Sequence, residues 1–186
     1  LNVGVSVAST NSSQFTTNFG TLYVSSRGNA SLTITNSALL NVGTLDVERS
    51  INSGVTGTVN LDGGTIVASR VSSGTANQTA GTTSTANFFF NGGTLKARGS
   101  SATFFQGRTT DPITPVNAYV TARGANIDSD TNAIGFLEPL LTDPNLGGAQ
   151  DGGLTKLGTG TLTLAGTNTY FGDTHVNAGT LLANGQ

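Results

Sequence analysis

The acidic side chains are the residues most able to do chemistry in this sequence, ten in all, and two close pairs stand out: Asp128 with Asp130, and Asp46 with Glu48. Glycoside cleavage needs two facing carboxyl groups about 5 to 10 Å apart. Residues i and i+2 of an extended strand share a side at about 7 Å, so both pairs meet that spacing if they lie on strands. Asn126, Ser129, Thr131 and Asn132 around the first pair read instead as a polar turn. Asp128 and Asp130 are kept as candidates for a polysaccharide lyase or hydrolase, with a solvated loop the simpler expectation. Asp46 and Glu48 read as an ordinary outward strand face. A lyase would also want calcium-binding carboxylates and an Arg or Lys base. Arg98, Arg108 and Arg123 occupy the same part of the chain, but nothing in the sequence sets them beside Asp128, and isolated arginines more often protect strand edges.

Other chemistries have little to work with. His175 is the only histidine, so no multi-histidine metal site forms within one chain. Between Thr174 and Val176 it reads as an outward strand residue. There is no Gly-x-Ser-x-Gly elbow, Gly158-Thr159-Gly160 lacks the Gly-Lys-Ser/Thr ending of a phosphate loop, and the Gly-Gly-x-Gly-x-Asp calcium repeat is missing. No catalytic, cofactor or metal residue is assigned apart from the Asp128 and Asp130 alternative. On a strand, Phe88 and Phe90 share one face and Phe89 the other. The outward ring is expected to lie under the proline-bearing stretch, and the alternative is a sugar-stacking or protein-docking patch.

The elements that would have to position such groups are hinted at by composition. Charged residues are 10% of the 186 and hydrophobic ones 35%, so the surface is largely Thr, Ser, Asn and Gly. That suits either disorder or a β-solenoid with polar ladders. A net charge of -2 offers no basic field for phosphates, which disfavours nucleic acid. No apolar run is long enough for a membrane-spanning helix and no stretch reads as a signal peptide, so membrane attachment is expected only through segments outside these residues. Lacking Met, the chain is expected to be a processed or excised piece. The absence of Cys removes thiol chemistry and suits a protein exported through a periplasm.

Alternation favours the solenoid. Apolar residues fall at every second position in Leu22 and Val24, Leu32 and Ile34, Leu45 and Val47, Val59 and Leu61, and Leu162 and Leu164, the period of strands with one buried face. Gly-Thr-Leu or a variant begins at Gly20, Gly43, Gly57, Gly64, Gly93, Gly160 and Gly179. Corner clusters such as Asp62-Gly63-Gly64 and Asn91-Gly92-Gly93 separate the strands, with glycine expected to supply the bend. An antiparallel sandwich is the rival, but it gives no reason for residues 59–68 to recur as 88–97. At about 20 to 25 residues per turn, roughly eight turns are expected. All four prolines, Pro112, Pro115, Pro139 and Pro144, fall in 99–151, which is expected to be an irregular insertion of loops and a few strands within a single fragment spanning 1–186.

Residues 152–186 carry the densest motif: Gly152, Gly153, Leu154, Lys156, Gly158, Gly160, Thr161, Leu162, Leu164, Gly166, Asn168, Tyr170, Gly172, Val176, Gly179, Thr180 and Leu181. This stretch, strongest over 152–185, closely resembles the autotransporter-associated β-strand repeat, or passenger-associated transport repeat. Phe171 and Asp173 stand where the family usually has Gly or Thr. The resemblance implies an all-β, right-handed parallel β-helix in the passenger of an exported bacterial surface protein, located extracellularly or at the cell surface. The function expected first is a non-enzymatic scaffold for adhesion, matrix or filament formation, without cofactor, with a polysaccharide-active or glycan-binding β-helix as the alternative. The partners expected are further copies, through end-to-end or lateral contacts, and a host-surface or glycan ligand.

Overall fold

Period-two alternation becomes three parallel sheets wrapped around one apolar interior. The computed structural model describes residues 3–7, 14–16, 20–49, 53–74, 83–110 and 113–185. Pro112 and the chain ends Leu1-Asn2 and Gln186 lie outside the described residues. The strands come in successive triplets: β1 Val3–Val7, β2 Gln14–Thr16 and β3 Thr21–Ser25; β4 Ala30–Thr35, β5 Leu39–Asn41 and β6 Thr44–Glu48; β7 Val55–Asp62, β8 Thr65–Ala68 and β9 Arg70–Ser72. Next come β10 Ser84–Phe90, β11 Thr94–Ala97 and β12 Ser101–Gln106; β13 Val116–Val120, β14 Ala125–Asp128 and β15 Ala133–Phe136; β16 Leu140–Thr142, β17 Leu154–Leu157 and β18 Thr161–Leu164. The pair β19 Thr174–Val176 and β20 Thr180–Ala183 follows. The first strand of each triplet joins one sheet, the second another and the third the last, giving sheets of six, seven and seven strands. This is a parallel β-solenoid.

The two near-copies in the sequence lie one above the other: Val59 pairs with Phe88, Leu61 with Phe90 and Thr65 with Thr94. Eight turns, however, would need eight strands in each sheet. The circuit is longer than the repeated phrase suggested, because Ala30 pairs with Gly57, Gly57 with Ala86 and Ala86 with Val116, about 27 to 30 residues a turn. It is shorter where Thr21 pairs with Thr44 and Ala118 with Leu140, about 22 or 23 residues, and shortest in the final repeat, about 20 where Leu154 pairs with Thr174. Gly-Thr-Leu misleads as a counter because it recurs on different faces: Gly57 belongs to the first sheet, Gly64 precedes a strand of the second and Gly43 one of the third.

Glycine supplies the bend at the corners, as expected, and has a second part there as well. Gly63 and Gly92, the residues before the phrase, hold φ of 91° and 80° and make the bend. Gly64 and Gly93, which open the phrase, are held by crowding: a Cβ on Gly93 would come within 2.7 Å of Leu61 and 2.8 Å of the Gly64 carbonyl.

Stacking fills the interior with ladders. Leu40, Ile66, Leu95 and Ile127 form one in the second sheet, and Leu45, Val71, Phe105, Phe136 and Leu164 one in the third. Each buried aliphatic contributes about 1.5 to 3 kcal/mol. At mid-height, rings from the first and third sheets meet: Phe88 and Phe90 pack on Phe105, and Phe105 stacks on Phe136 at 4.7 Å. Phe104 and Phe105 are both buried although adjacent. The pairing of β12 with β15 shifts register between Ser101 and Phe105, and such a bulge lets neighbouring side chains point to one side.

Residues 99–151 supply β12 to β16, and their prolines stand off the ladders. Pro115 precedes β13, Pro139 precedes β16 and Pro144 begins a 3-10 turn, Pro144–Leu146. The chain leaves the rod after β12, and residues 107–110 and 113–115 are joined by paired main-chain hydrogen bonds between Arg108 and Thr114. Phe89 faces outward, half-buried and stacked on Tyr119 at 5.1 Å, with Asp143 and Asn145 of the 3-10 turn beside it.

These positions make Phe90→Ala and Phe89→Ala a matched pair. Denaturant unfolding should show a loss of about 3 to 5 kcal/mol for the buried ring and about 1 kcal/mol for the outward one. Equal losses would contradict the assigned faces.

Candidate functional site

Strand β14 ends on Asp128, and parallel register sets it above Lys96 of β11. Lys96 Nζ lies 3.3 Å from Asp128 Oδ2 and 3.6 Å from Asp130 Oδ1. The structure therefore does bring the two carboxylates together with a base. Their lone pairs, however, hold the corner. The Asp130 amide donates to Asp128 Oδ1 at 2.7 Å, and Asp130 takes the left-handed conformation at φ 53° that an aspartate tolerates. Gly158 of the following turn sits on top, so close that a Cβ there would come within 2.5 Å of Asp128 Oδ1. Arg123 is used elsewhere, donating to Asp62 at 2.9 Å.

Two side chains in or beside the repeat carry more structural weight than the spacing suggested. Asp151 is buried, and its Oδ1 accepts from the Gly153 and Gly172 amides at 3.0 and 2.8 Å. Its Oδ2 accepts from the Thr142 hydroxyl at 2.7 Å and the Phe171 amide at 2.8 Å. One carboxylate thus ties together three separate pieces of chain. Burial alone would raise its pKa, but these four donors outweigh it and hold the group below the usual value. The signal was present in Asp151-Gly152-Gly153, which repeats the Asp62-Gly63-Gly64 corner. Lys156 occupies an inward position, paired with Ile127 below and Val176 above, and is fully buried. Its ammonium donates to the Leu157 and Gly158 carbonyls, both at 2.7 Å, and to Ala178 at 3.2 Å. Desolvation lowers its pKa, with nearby Asp128 opposing.

Asp46 and Glu48 correct the expectation of a wet outward face. They do point away from the interior, since Leu45 and Val47 point in, yet they are 1% and 0% exposed. Glu48 accepts a 2.6 Å hydrogen bond from the Ser84 hydroxyl. Neither oxygen of Asp46 has a well-formed hydrogen bond. Desolvation, reinforced by Glu48, pushes its pKa up to about 7, and Arg49, the Glu48 amide and Arg70 offset this only in part. His175 is exposed and pairs with outward-facing Thr155. Among the described residues no three His, Asp or Glu side chains converge as a metal site.

The geometry defines a parallel β-solenoid whose charged corners serve as locks, ending in a short-circuit repeat. Residues 154–183 match the Passenger-associated-transport-repeat family, so this stretch is a passenger repeat of the kind its residues resemble. A segment of 79 residues is 39% identical to the extracellular serine protease of Serratia marcescens. It makes up 42% of this chain and 6% of that protein, so the chain spans only a small part of that relative. No solved structure matches.

Two of the buried aspartates, Asp46 and Asp151, give opposite pH signatures. Asp46 is neutral in both states below its ordinary 3.8. Between about pH 4 and 7 the unfolded chain releases that proton while the folded chain keeps it, so stability falls as pH rises through this window and then levels. Asp46→Asn should therefore melt several degrees higher than the parent at pH 7.5, and converge with it near pH 4. Asp151, with its lowered pKa, stabilises above its unfolded value and loses that contribution as pH falls through the folded one. Asp151→Ala should cost about 2 to 4 kcal/mol at neutral pH, and the deficit should shrink in acid. Differential scanning calorimetry from pH 3 to 8 reads both effects.

Proposed function

We propose that this chain is a non-enzymatic segment of a bacterial surface passenger, a right-handed β-solenoid that stands outside the cell as a scaffold for adhesion or matrix contacts. The observation that carries the reading is the matched repeat itself, whose β19 and β20 continue two sheets of the rod in register. Parallel strands in register stack turn on turn, and further copies are the partners this reading assigns. The polar outer ladders support a role in contact with water. They include Asn117 donating to Asn87 at 3.0 Å and Asn60 donating to Thr33 at 3.3 Å. The name of the Serratia relative supports an extracellular setting.

Enzyme activity at Asp128 and Asp130 is the weaker reading, because Lys96, the Asp130 amide and the overlying Gly158 occupy the carboxylates. Folding outside the cell would make export directional, since a stacked turn resists sliding back through a pore. Stacking of β18 on β15 buries Leu162 on Ile134 and Leu164 on Phe136, about 3 to 6 kcal/mol for the pair, several times RT.

In the parent passenger, the double variant Leu162→Asp, Leu164→Asp should slow surface display several-fold, read by protease accessibility on intact cells over time. Display at the parent rate would defeat the export role. Electron microscopy of the purified chain at high concentration should show end-to-end rods, and dispersed monomers alone would remove the assembly role.

A further inference from the structure

The outer face of the third sheet carries a groove for which neither stacking nor export has a use. Its floor follows from the register. Tyr23, Asp46, Ser72 and Gln106 form one outward ladder across β3, β6, β9 and β12, and Thr21, Thr44 and Arg70 form the ladder beside it. Residues 107–110 leave the rod here and supply a wall. That wall is pinned by the Arg108 and Thr114 main-chain pair and by the Ser73 hydroxyl donating to the Thr114 carbonyl. The groove measures about 540 Å³, within the range of small-molecule sites.

At its floor lies the side chain that the fold does not explain. Asp46 is 1% exposed, and neither of its oxygens has a well-formed hydrogen bond, the Glu48 amide offsetting its burial only in part. Asparagine or threonine there would remove the desolvation penalty that the charge incurs. Every other buried carboxylate described above has partners. A polar group kept at a cost to stability inside a walled groove is the mark of a site.

The neighbours decide the ligand class. Tyr23 flanks Asp46 from β3, with the Arg49 guanidinium 4.4 Å over its ring. Glu48 and Arg49 follow on the chain, Arg70 faces it from β9, and Arg108 belongs to the wall. An anion would meet Asp46, and a cation would meet Arg70 and Arg108. A neutral molecule with adjacent hydroxyls satisfies both signs, donating to the carboxylate and accepting from guanidinium and amide. Hydrolysis does not follow, because Glu48 is turned to Ser84 and does not line the groove, leaving Asp46 without a facing carboxyl. We propose that this groove binds a neutral sugar unit of a glycan, with Asp46 accepting from paired hydroxyls and Arg70 and Gln106 donating to its oxygens. The Asp46 oxygens are shut off from bulk water in this arrangement, so entry requires the exposed Tyr23 and Arg70 side chains to swing aside.

The proposal deepens the scaffold reading by naming what one face contacts, and rests on it only for the extracellular setting. The test is an array of neutral hexose oligosaccharides probed with the purified 186-residue chain, with uronic-acid oligosaccharides and a polylysine peptide as counter-probes and titration calorimetry on the best neutral ligand. Neutral glycans should bind, and Asp46→Asn and Arg70→Ala should each weaken binding about tenfold. Asp46→Asn should keep or raise the melting temperature, which separates lost contact from lost fold, and Phe89→Ala on the first sheet should leave binding unchanged. Binding only to the counter-probes, no binding, or full binding by both groove variants would overturn the proposal. Failure of surface display in cells would leave this result standing, so the two readings fail separately.

Discussion

In-register hydrogen bonding between parallel strands is the constraint on which the rest of this molecule depends. Because each residue pairs with one residue of the turn below and one of the turn above, any inward position must suit its neighbours along the whole ladder. Leu40, Ile66, Leu95 and Ile127 meet that demand with apolar bulk. Lys156, next in the same ladder, meets it differently. Its stem continues the apolar column and its ammonium turns to the corner carbonyls of its own turn and the next. A buried cation is tolerable when so fully hydrogen-bonded, and here the price is offset by a staple across two turns.

The corners show the same economy of charge. With 10% charged residues, the chain spends several of them on locking bends. Asp128 caps the Asp130 amide and receives Lys96, Asp62 receives Arg123, and Asp151 gathers four donors from three stretches of chain. Carboxylates committed in this way are poor candidates for proton transfer, since their lone pairs are occupied in the resting fold. The charge pattern therefore serves the folding of the corners.

Asp46 is the departure from that economy. It lies on the wet side of its strand by alternation, yet it is buried, sharing the groove with Tyr23 and Arg70 of neighbouring turns and with residues 107–110. A stacking scaffold gains nothing from an unpaired acid there. The tension between local stability and retained acidity separates this groove from a patch such as that on the first sheet, where Asn91, Thr121, Asp62 and Arg123 bond to one another.

What the sequence by itself determined was local and periodic. Alternation placed Leu32, Val59 and Phe88 inward and Phe89 outward, glycine-rich corners marked the bends, the copies 59–68 and 88–97 announced parallel stacking, and the motif after Gly152 announced the passenger repeat. These were legible because each depends on residues a few positions apart. The length of a circuit was not, since one phrase serves several faces and the corners vary in length. Nor were the shared burial of Phe104 and Phe105, which needs a bulge against β15, the four donors on Asp151, or the isolation of Asp46 beneath a wall contributed about sixty residues later. Those depend on which turn lies above which, and only the tertiary structure decides that, because a side chain's partners in a solenoid come from a full circuit away.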